Sequence, residues 1–312
     1  MKAAVEVIFK KDQLNGAILI TAPDGKQLME ANGSRNGDSP VSINTQFQLA
    51  DASAIFTGLL IKKLIDAGSI NLTDRVNSFL PELPYQELTV EHLLRHTSGL
   101  PDYFLLEERF WNQPRPFNNY DLLDILVKHE PRLFFYPGEF FRFSHTNYAL
   151  LALVAERVMT LEFGEALKQI VFAPFGMPNS GLTSFSSQQP IGPFATDISG
   201  KISSGPETSD VNGDFSGYTT LSDMAAWSRH MQKNQEISSI LATLPTEKEV
   251  PYHFGWVIDP VKMILYHDGN WGGHKATVVC HYPTAWIIVI FSNRGDNLVK
   301  IERKLSKIIQ KH

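Results

Sequence analysis

The order of strand-like and helical segments constrains the fold of this chain more than any other feature. Two apolar strand-like segments, residues 16–21 and 27–31, are joined at residues 23–25, whose Pro-Asp-Gly sequence is a strong hairpin signal. Further strand-like segments fill residues 252–292, while helical apolar spacing dominates the middle of the chain. Strands at both chain ends with helices between them predict one antiparallel sheet with a helical region inserted.

Helices are predicted where apolar residues recur three and four positions apart. The first and last of them should flank the sheet. A Pro/Gly/Ser-rich stretch over residues 174–206 predicts an irregular connection. The predicted helices cover residues 3–12, 51–67, 89–98, 121–128, 146–160 and 298–309.

Composition narrows the class of protein and its partners. Of 312 residues, 43% are hydrophobic and 20% are charged, which is typical of a globular chain with a sizeable core. A net charge of −5 argues against a nucleic-acid partner. The single cysteine, Cys280, excludes an internal disulfide, and its apolar neighbours predict a buried thiol. No segment is long and apolar enough for a membrane span, and residues 1–13 lack secretory-signal features, so we expect a cytoplasmic protein without a membrane partner.

Six segments, taken in order along nearly the whole chain, carry a family resemblance. The chain resembles the serine β-lactamase and penicillin-binding-protein-like superfamily, especially its class C β-lactamases, esterases and D-amino-acid peptidases. The resemblance implies an α/β (α+β) fold: an antiparallel sheet flanked by the terminal helices, a mainly helical lobe, and a pocket between them. The segments are residues 47–57, 70–83, 88–100 (with the sequence LLRHTSGL at its end), 136–151, 173–177 and 267–269.

The resemblance also implies a division of the chain into two lobes within one domain. Residues 1–50 together with 207–312 would form the α/β lobe. Residues 51–206 would form the mainly helical lobe.

The first family motif, Ser-x-x-Lys, supplies a nucleophilic serine and its activating lysine on one helix face. The matching residues here are Asp51 and Ala54. The Asp51 carboxylate cannot do the alkoxide chemistry of serine, and the methyl side chain of Ala54 has no group that could accept or donate a proton. Ser53 is no substitute, because it lies roughly 200° further around a helix and still lacks a base.

The other two motifs diverge to different degrees. Phe143-Ser144-His145 matches the family's Tyr-x-Asn, so the phenol is absent and an imidazole replaces the amide. His267-Asp268-Gly269 matches its His-x-Gly, and Gly269 allows close backbone approach. The resemblance assigns the oxyanion hole to the backbone N–H groups of Asp51 and Asn270. An aspartate at the first position would repel a developing oxyanion there.

These matches predict a site in which Asp51, His145 and His267 face one cavity and are the candidate catalytic residues. Near neutral pH two imidazoles and a carboxylate could act as acid and base. Two interpretations remain open for the set: Asp51 as a simple helix N-cap, and a two-His, one-carboxylate metal site, which nothing in the local spacing supports. We therefore predict no metal and no cofactor. The candidate substrate-binding residues are Phe143, Asp268, Gly269 and Asn270.

These observations leave three candidate functions. The favoured one is a repurposed enzyme that does acid–base, non-acyl chemistry on a small molecule, for example in a biosynthetic pathway. The alternative is a non-catalytic, ligand-binding pseudoenzyme. An ordinary serine β-lactamase, esterase or D-peptidase fits the sequence least.

Overall fold

A seven-stranded antiparallel sheet forms the centre of the computed structural model, which describes residues 1–35, 39–183, 209–244 and 251–310. The strand order is β2-β1-β12-β11-β10-β9-β8. Strands β3, β5 and β7 form a small second sheet, and β4 pairs with β6. The strands are β1 Gly16–Thr21, β2 Gln27–Asn32, β3 Gln46–Gln48, β4 Phe117–Asn118, β5 Gly181–Leu182, β6 Ser209–Asp210, β7 Gly217–Thr220, β8 Tyr252–His253, β9 Trp256–Asp259, β10 Ile264–Trp271, β11 His274–His281 and β12 Trp286–Ser292.

The described helices lie at the two chain ends and between the strand groups. They are α1 Lys2–Lys11, α2 Ala54–Asp66, α3 Val90–Leu94, α4 Tyr103–Phe110, α5 Asn119–His129, α6 Thr146–Met159, α7 Phe163–Leu167, α8 Leu221–Lys233, α9 Glu236–Leu241 and α10 Leu298–Ile309.

The two ends of the chain meet in the sheet. Strand β1 pairs antiparallel with β12, with Ala17 opposite Phe291 and Ile18 opposite Ile290. Side chains alternate between the faces of a strand. Ile18 and Ile290 therefore join the apolar cluster formed with α1 and α10, while Ala17 and Phe291 join the larger core on the other face. The predicted single sheet from both chain ends, flanked by terminal helices, is confirmed.

Most predicted helices are present, with differences at their ends. The helix predicted over residues 89–98 stops at Leu94, because His96 takes a left-handed conformation with φ of 53° that a right-handed helix cannot continue. Helices α4, α7, α8 and α9 were not predicted. A local signal exists for α8, since the Thr220 side chain accepts a hydrogen bond from the Asp223 backbone N–H as an N-cap.

The segment predicted as the start of a long helix is a separate turn. Residues Ala50–Ser53 form a 3₁₀ turn, and α2 begins only at Ala54. The turn packs so tightly against β10 that a Cβ on Gly269 would lie 1.9 Å from the Leu49 carbonyl oxygen. Ala50, the residue before Asp51, has a φ of 49°, a conformation that costs alanine energy. This packing fixes the position of Asp51 beside the sheet.

Three further sequence predictions concern the burial and connection of segments. Cys280 is buried, as predicted. In the predicted irregular connection, Gly181–Leu182 form strand β5, and residues 184–206 lie outside the described residues. No helix in the described ranges combines the length and the apolar character of a membrane span. The division into lobes at residues 50 and 207 stays a prediction, as does a cytoplasmic location.

Candidate functional site

The Asp51 carboxylate joins the 3₁₀ turn to two other elements. Its Oδ2 accepts a hydrogen bond from the Asn270 backbone N–H on β10 at 3.1 Å. Its Oδ1 lies 3.2 Å from Nε2 of His145, the residue before α6. No side-chain cap hydrogen bond is present at the start of the turn or of α2. The N-cap interpretation of Asp51 is therefore wrong, because its oxygens are engaged by groups more than 90 residues away in sequence.

His145 lies between two carboxylates. Its Nδ1 is 2.7 Å from Asp102 Oδ2, and its backbone N–H donates to the same oxygen at 2.9 Å. Asp102 is the N-cap of α4 and also accepts from the Phe104 backbone N–H at 3.1 Å. Ionised carboxylates only accept hydrogen bonds, so this arrangement favours a proton on both ring nitrogens of His145.

The pKa of His145 follows from this arrangement. Burial lowers the pKa of the imidazole, but the hydrogen bonds to Asp102 and Asp51 outweigh burial and raise the pKa to about 10. For Asp102, burial raises the pKa and the hydrogen bond with His145 lowers it, so that the pKa is lowered overall. His145 is therefore a cation at neutral pH. That Asp51 and the two imidazoles act as acid and base stays a prediction, in which His145 can only be the protonated member at neutral pH.

His267 has the opposite character. Its ring is buried on β10, and its Nδ1 lies 2.7 Å from the Gly255 carbonyl oxygen. A carbonyl only accepts, so the proton is on Nδ1 and Nε2 keeps its lone pair. Burial lowers the pKa of His267, and the charge of His145 lowers it further, while the Asp51 carboxylate opposes the change. The Asp51 carboxylate therefore raises the pKa of both histidines, but at neutral pH His145 is a cation and His267 is neutral.

A small cavity lies beside Asp51 and His145, with room for about one water molecule. His267 is not among the described residues that line it, so the structure brings only two of the three candidate catalytic residues to this cavity. Asp214, whose side chain is almost fully buried, borders this cavity, and neither of its oxygens has a hydrogen bond of good geometry. Burial raises the pKa of Asp214 to about 7, although nearby His145 and the Tyr103 hydroxyl oppose the change. The cavity is lined by Asp51, Ala54, His96, Phe143, His145, Tyr148, Asp214 and Tyr252.

Aromatic rings surround the imidazole of His145. The ring centroids of Phe104, Phe143 and Phe215 lie 5.1, 4.9 and 4.9 Å from that of His145. Phe104 and Phe215 continue into a larger cleft that Trp271 and Val211 also line. Phe104 stacks on Trp271 with centroids 5.5 Å apart. The charged groups of the site therefore adjoin an apolar surface.

The remaining predicted site residues differ in their placement. Phe143 borders the cavity, Asn270 binds Asp51 through its backbone, and Gly269 makes room for the 3₁₀ turn. Asp268 is exposed on the face of β10 opposite His267, where its Oδ1 accepts from the Thr277 hydroxyl at 2.7 Å. The structure does not bring Asp268 to the cavity, because adjacent residues of a strand face opposite sides.

Two alternatives from the sequence find no support in the geometry. The Ser53 hydroxyl is buried, donates to the Ala50 carbonyl at 2.7 Å and accepts from the Gly217 N–H at 2.9 Å, so it is fully engaged away from the cavity. Within the described ranges, no three His, Cys, Asp or Glu side chains are arranged to hold a metal ion. The metal interpretation of Asp51, His145 and His267 therefore lacks a ligand geometry.

Sequence reasoning missed two carboxylates of the site. Asp102 had a local signal, since an aspartate after Pro101 is a typical N-cap and α4 follows it. Asp214 had none, because it is positioned by its surroundings rather than by a repeating pattern. Its neighbour Gly213 packs against the backbone of α6, where a Cβ would lie 2.2 Å from the Tyr148 carbonyl oxygen.

Comparisons with known proteins agree with this architecture. The chain is 26% identical to penicillin-binding protein 4* of Bacillus subtilis over 95% of its own length and 72% of that protein. It is 24% identical to protein flp of Staphylococcus aureus over 99% of its length and 66% of that protein. The crystal structure of a penicillin-binding protein from Bacillus halodurans superposes with a TM-score of 0.84, at 24% identity, over 99% of this chain and 100% of that one.

The two curated relatives are longer than this chain, which spans about two thirds to three quarters of their length. The structural match establishes the fold, including its antiparallel sheet and surrounding helices. A family model described as Beta-lactamase matches residues 1–308. The chain therefore belongs to the beta-lactamase family, with a penicillin-binding-protein-like fold.

Proposed function

We propose that this chain does not use an acyl-serine intermediate and that its pocket carries acid–base chemistry on a small molecule. The observation that supports this most strongly is the hydrogen bond from the Asn270 N–H to the Asp51 carboxylate. The resemblance assigns that N–H to the oxyanion hole. A carboxylate that already occupies the donor, and carries charge of the same sign as an oxyanion, opposes acyl transfer.

The acid–base assignment is supported by the opposite shifts of the two histidine pKa values. Titratable groups whose environments push their pKa values apart are natural acid and base partners. His145, with a pKa of about 10, would be the proton donor and a fixed positive charge. His267, with its lowered pKa and unprotonated Nε2, would be the proton acceptor. Asp51 would keep His145 charged through its hydrogen bond to Nε2.

This assignment predicts the pH dependence of turnover. Activity should fall at low pH as His267 gains a proton, with a midpoint below the ordinary histidine value. It should fall again at high pH as His145 loses its proton, with a midpoint near 10. The check is kcat/KM against pH for wild type and His145→Asn. A steep loss of activity centred between these limits would contradict the assignment.

The loss of acyl-serine chemistry is tested with covalent probes. We expect no adduct, by intact-protein mass spectrometry, after incubation with a fluorescent penicillin or a fluorophosphonate, because Asp51 and Ala54 supply neither nucleophile nor base. The double variant Asp51→Ser/Ala54→Lys, which places the family's Ser-x-x-Lys pair in the same pocket, controls for access of the probe. A stoichiometric adduct on any serine of the wild-type protein would overturn the proposal.

A non-catalytic ligand-binding role is the second candidate, and the replacement of the family's serine and lysine by Asp51 and Ala54 supports it. With room for about one water molecule, the cavity at Asp51 and His145 holds only a small group of any substrate or ligand. Ligands found by thermal shift separate the two functions, because binding to the folded state raises the melting temperature. Turnover of such a ligand, reduced roughly 10²–10⁴-fold in His145→Asn, supports the enzyme. Binding without turnover supports the alternative.

A further inference from the structure

The charge balance of the cavity is unusual for a buried site. Three carboxyl groups, those of Asp51, Asp102 and Asp214, stand against the one imidazolium of His145. His96, which lines the cavity, and His267, which lies close enough to influence the pKa of His96, have pKa values lowered first by burial and are neutral. No Lys or Arg is among the residues that line the cavity in the described part of the chain. The formal charge around it is negative.

Of the three carboxyl groups, that of Asp214 has the poorest hydrogen bonding. Its side chain is 3% exposed, and no hydrogen bond of good geometry reaches either oxygen, although the Tyr103 hydroxyl lies near it. The Tyr103 hydroxyl and the backbone of Asp214 itself still favour its ionised form, but a buried carboxyl group with hydrogen bonds of such poor geometry is costly and calls for an explanation such as a bound ligand. Asp214 thus lines a space of about the size of one water molecule, which is also the size of an ammonium group.

An aromatic cleft lies next to this polar cavity. Asp51 and Asp214, which line the cavity, are adjacent in sequence to Ala50 and Phe215, which line the aromatic cleft. The rings of Phe104 and Phe215 in the cleft also contact the ring of His145, which lines the cavity, so the cleft and the cavity are neighbours. Aromatic faces attract cations as well as apolar groups.

We propose that the cavity binds the ammonium group of a primary amine whose apolar or aromatic substituent lies in the cleft of Phe104, Phe215 and Trp271. The ammonium donates to Asp214 and stands near Asp51, while the substituent stacks on the rings. The unpartnered Nε2 of His96 carries a proton, since its Nδ1 accepts from Asn147 and Ser144. It suits a hydroxyl or carbonyl oxygen beside the amine. This inference deepens the proposed function and rests on it for the use of the same cavity.

Binding of the amine should depend on pH in a defined direction. The groups that act on Asp214 are Tyr103 on α4, Asp102 before α4 and His145 before α6, and Asp51, His96 and Tyr252 line the cavity with it. The pKa of Asp214 is about 7. Below that value it is protonated, and a cation must displace the proton to bind. Affinity for an alkylamine, which stays charged as lysine does, should therefore weaken about tenfold per pH unit below 7 and level off above it.

The test uses isothermal titration calorimetry of the full chain with three probes of similar shape: 2-phenylethylamine, 2-phenylethanol and 3-phenylpropanoate. We expect the amine to bind at least about tenfold more tightly than the alcohol, which corresponds to one charged hydrogen bond, and the carboxylate not to bind. Asp214→Asn should weaken amine binding at least about tenfold and leave the alcohol unchanged. Glu108→Gln removes an equal charge from the exposed side of α4 and should change neither affinity.

Several results of these titrations would contradict amine binding at Asp214. Equal or tighter binding of the alcohol or carboxylate, unchanged amine affinity in Asp214→Asn, or no amine binding up to about 10 mM would overturn the proposal. If Asp214→Asn does not fold, the pH dependence of wild-type amine binding decides, and an affinity that is the same at about pH 6 and pH 8 overturns it. None of these results bears on the acyl-serine probes, so this inference can fail while the proposed function stands.

Discussion

The two faces of the central sheet are built on different principles. On the outer face, Ile18 and Ile290 pack against α1 and α10 in a cluster made of apolar side chains. On the inner face, the strand that carries His267 and Gly269 meets the 3₁₀ turn of Asp51, and charged groups are buried beside aromatic rings. The first face gains free energy from removing apolar surface from water. On the second face, the cost of burying ionisable groups offsets part of the free energy gained from burying apolar surface.

The outer face of the sheet contributes mainly to stability, whereas the inner face carries the candidate site. Residues on the outer face are interchangeable in principle with other apolar residues of similar volume. Residues on the inner face are not, because each carboxylate oxygen of Asp51 and Asp102 has a defined partner. A change on one face should therefore alter unfolding without altering the site, and a change on the other should alter the site more than the fold.

The largest expected effect breaks the outer face. Leu305 on α10 is fully buried, so Leu305→Ala should lower the free energy of unfolding by about 2–5 kcal/mol through lost burial and a residual cavity. Val299, on the same helix and 45% exposed, provides the matched control, and Val299→Ala should change stability by no more than about 0.5 kcal/mol. Urea unfolding measures both. Amine binding that weakens in folded Leu305→Ala would show that the faces are coupled.

A smaller effect on stability, with a larger one on the site, is expected for Asp102→Asn. The amide keeps the N-cap role toward Phe104 but removes the charge beside His145 Nδ1. Unfolding free energy should fall by about 1–3 kcal/mol, the worth of a hydrogen bond to a charged group. The pKa of His145 should fall by at least about one unit, as expected when an opposite charge at this distance is removed. An unchanged pKa would mean that Asp102 does not hold the histidine charged.

The same contrast explains what could be predicted from sequence. The outer face repeats with strand and helix periods, so α1, α10 and the pairing of the terminal strands follow from residue spacing. Asp51, His145 and His267 could be placed together only because the family resemblance supplies their relative positions. Asp214 escaped prediction because its burial and its lack of partners are properties of the folded chain. The charge of His145 likewise depends on two carboxylates distant in sequence.

The positive charge of His145 can be measured from the protonation of its two ring nitrogens. Nitrogen-15 NMR of the histidine rings, with the His145 signals assigned by their loss in His145→Asn, reports the proton on each nitrogen. At neutral pH we predict that both nitrogens of His145 are protonated and remain so until a pKa of about 10, while His267 is neutral with its proton on Nδ1. A His145 that titrates near its ordinary value of about 6.5, with one nitrogen unprotonated at neutral pH, would contradict the account.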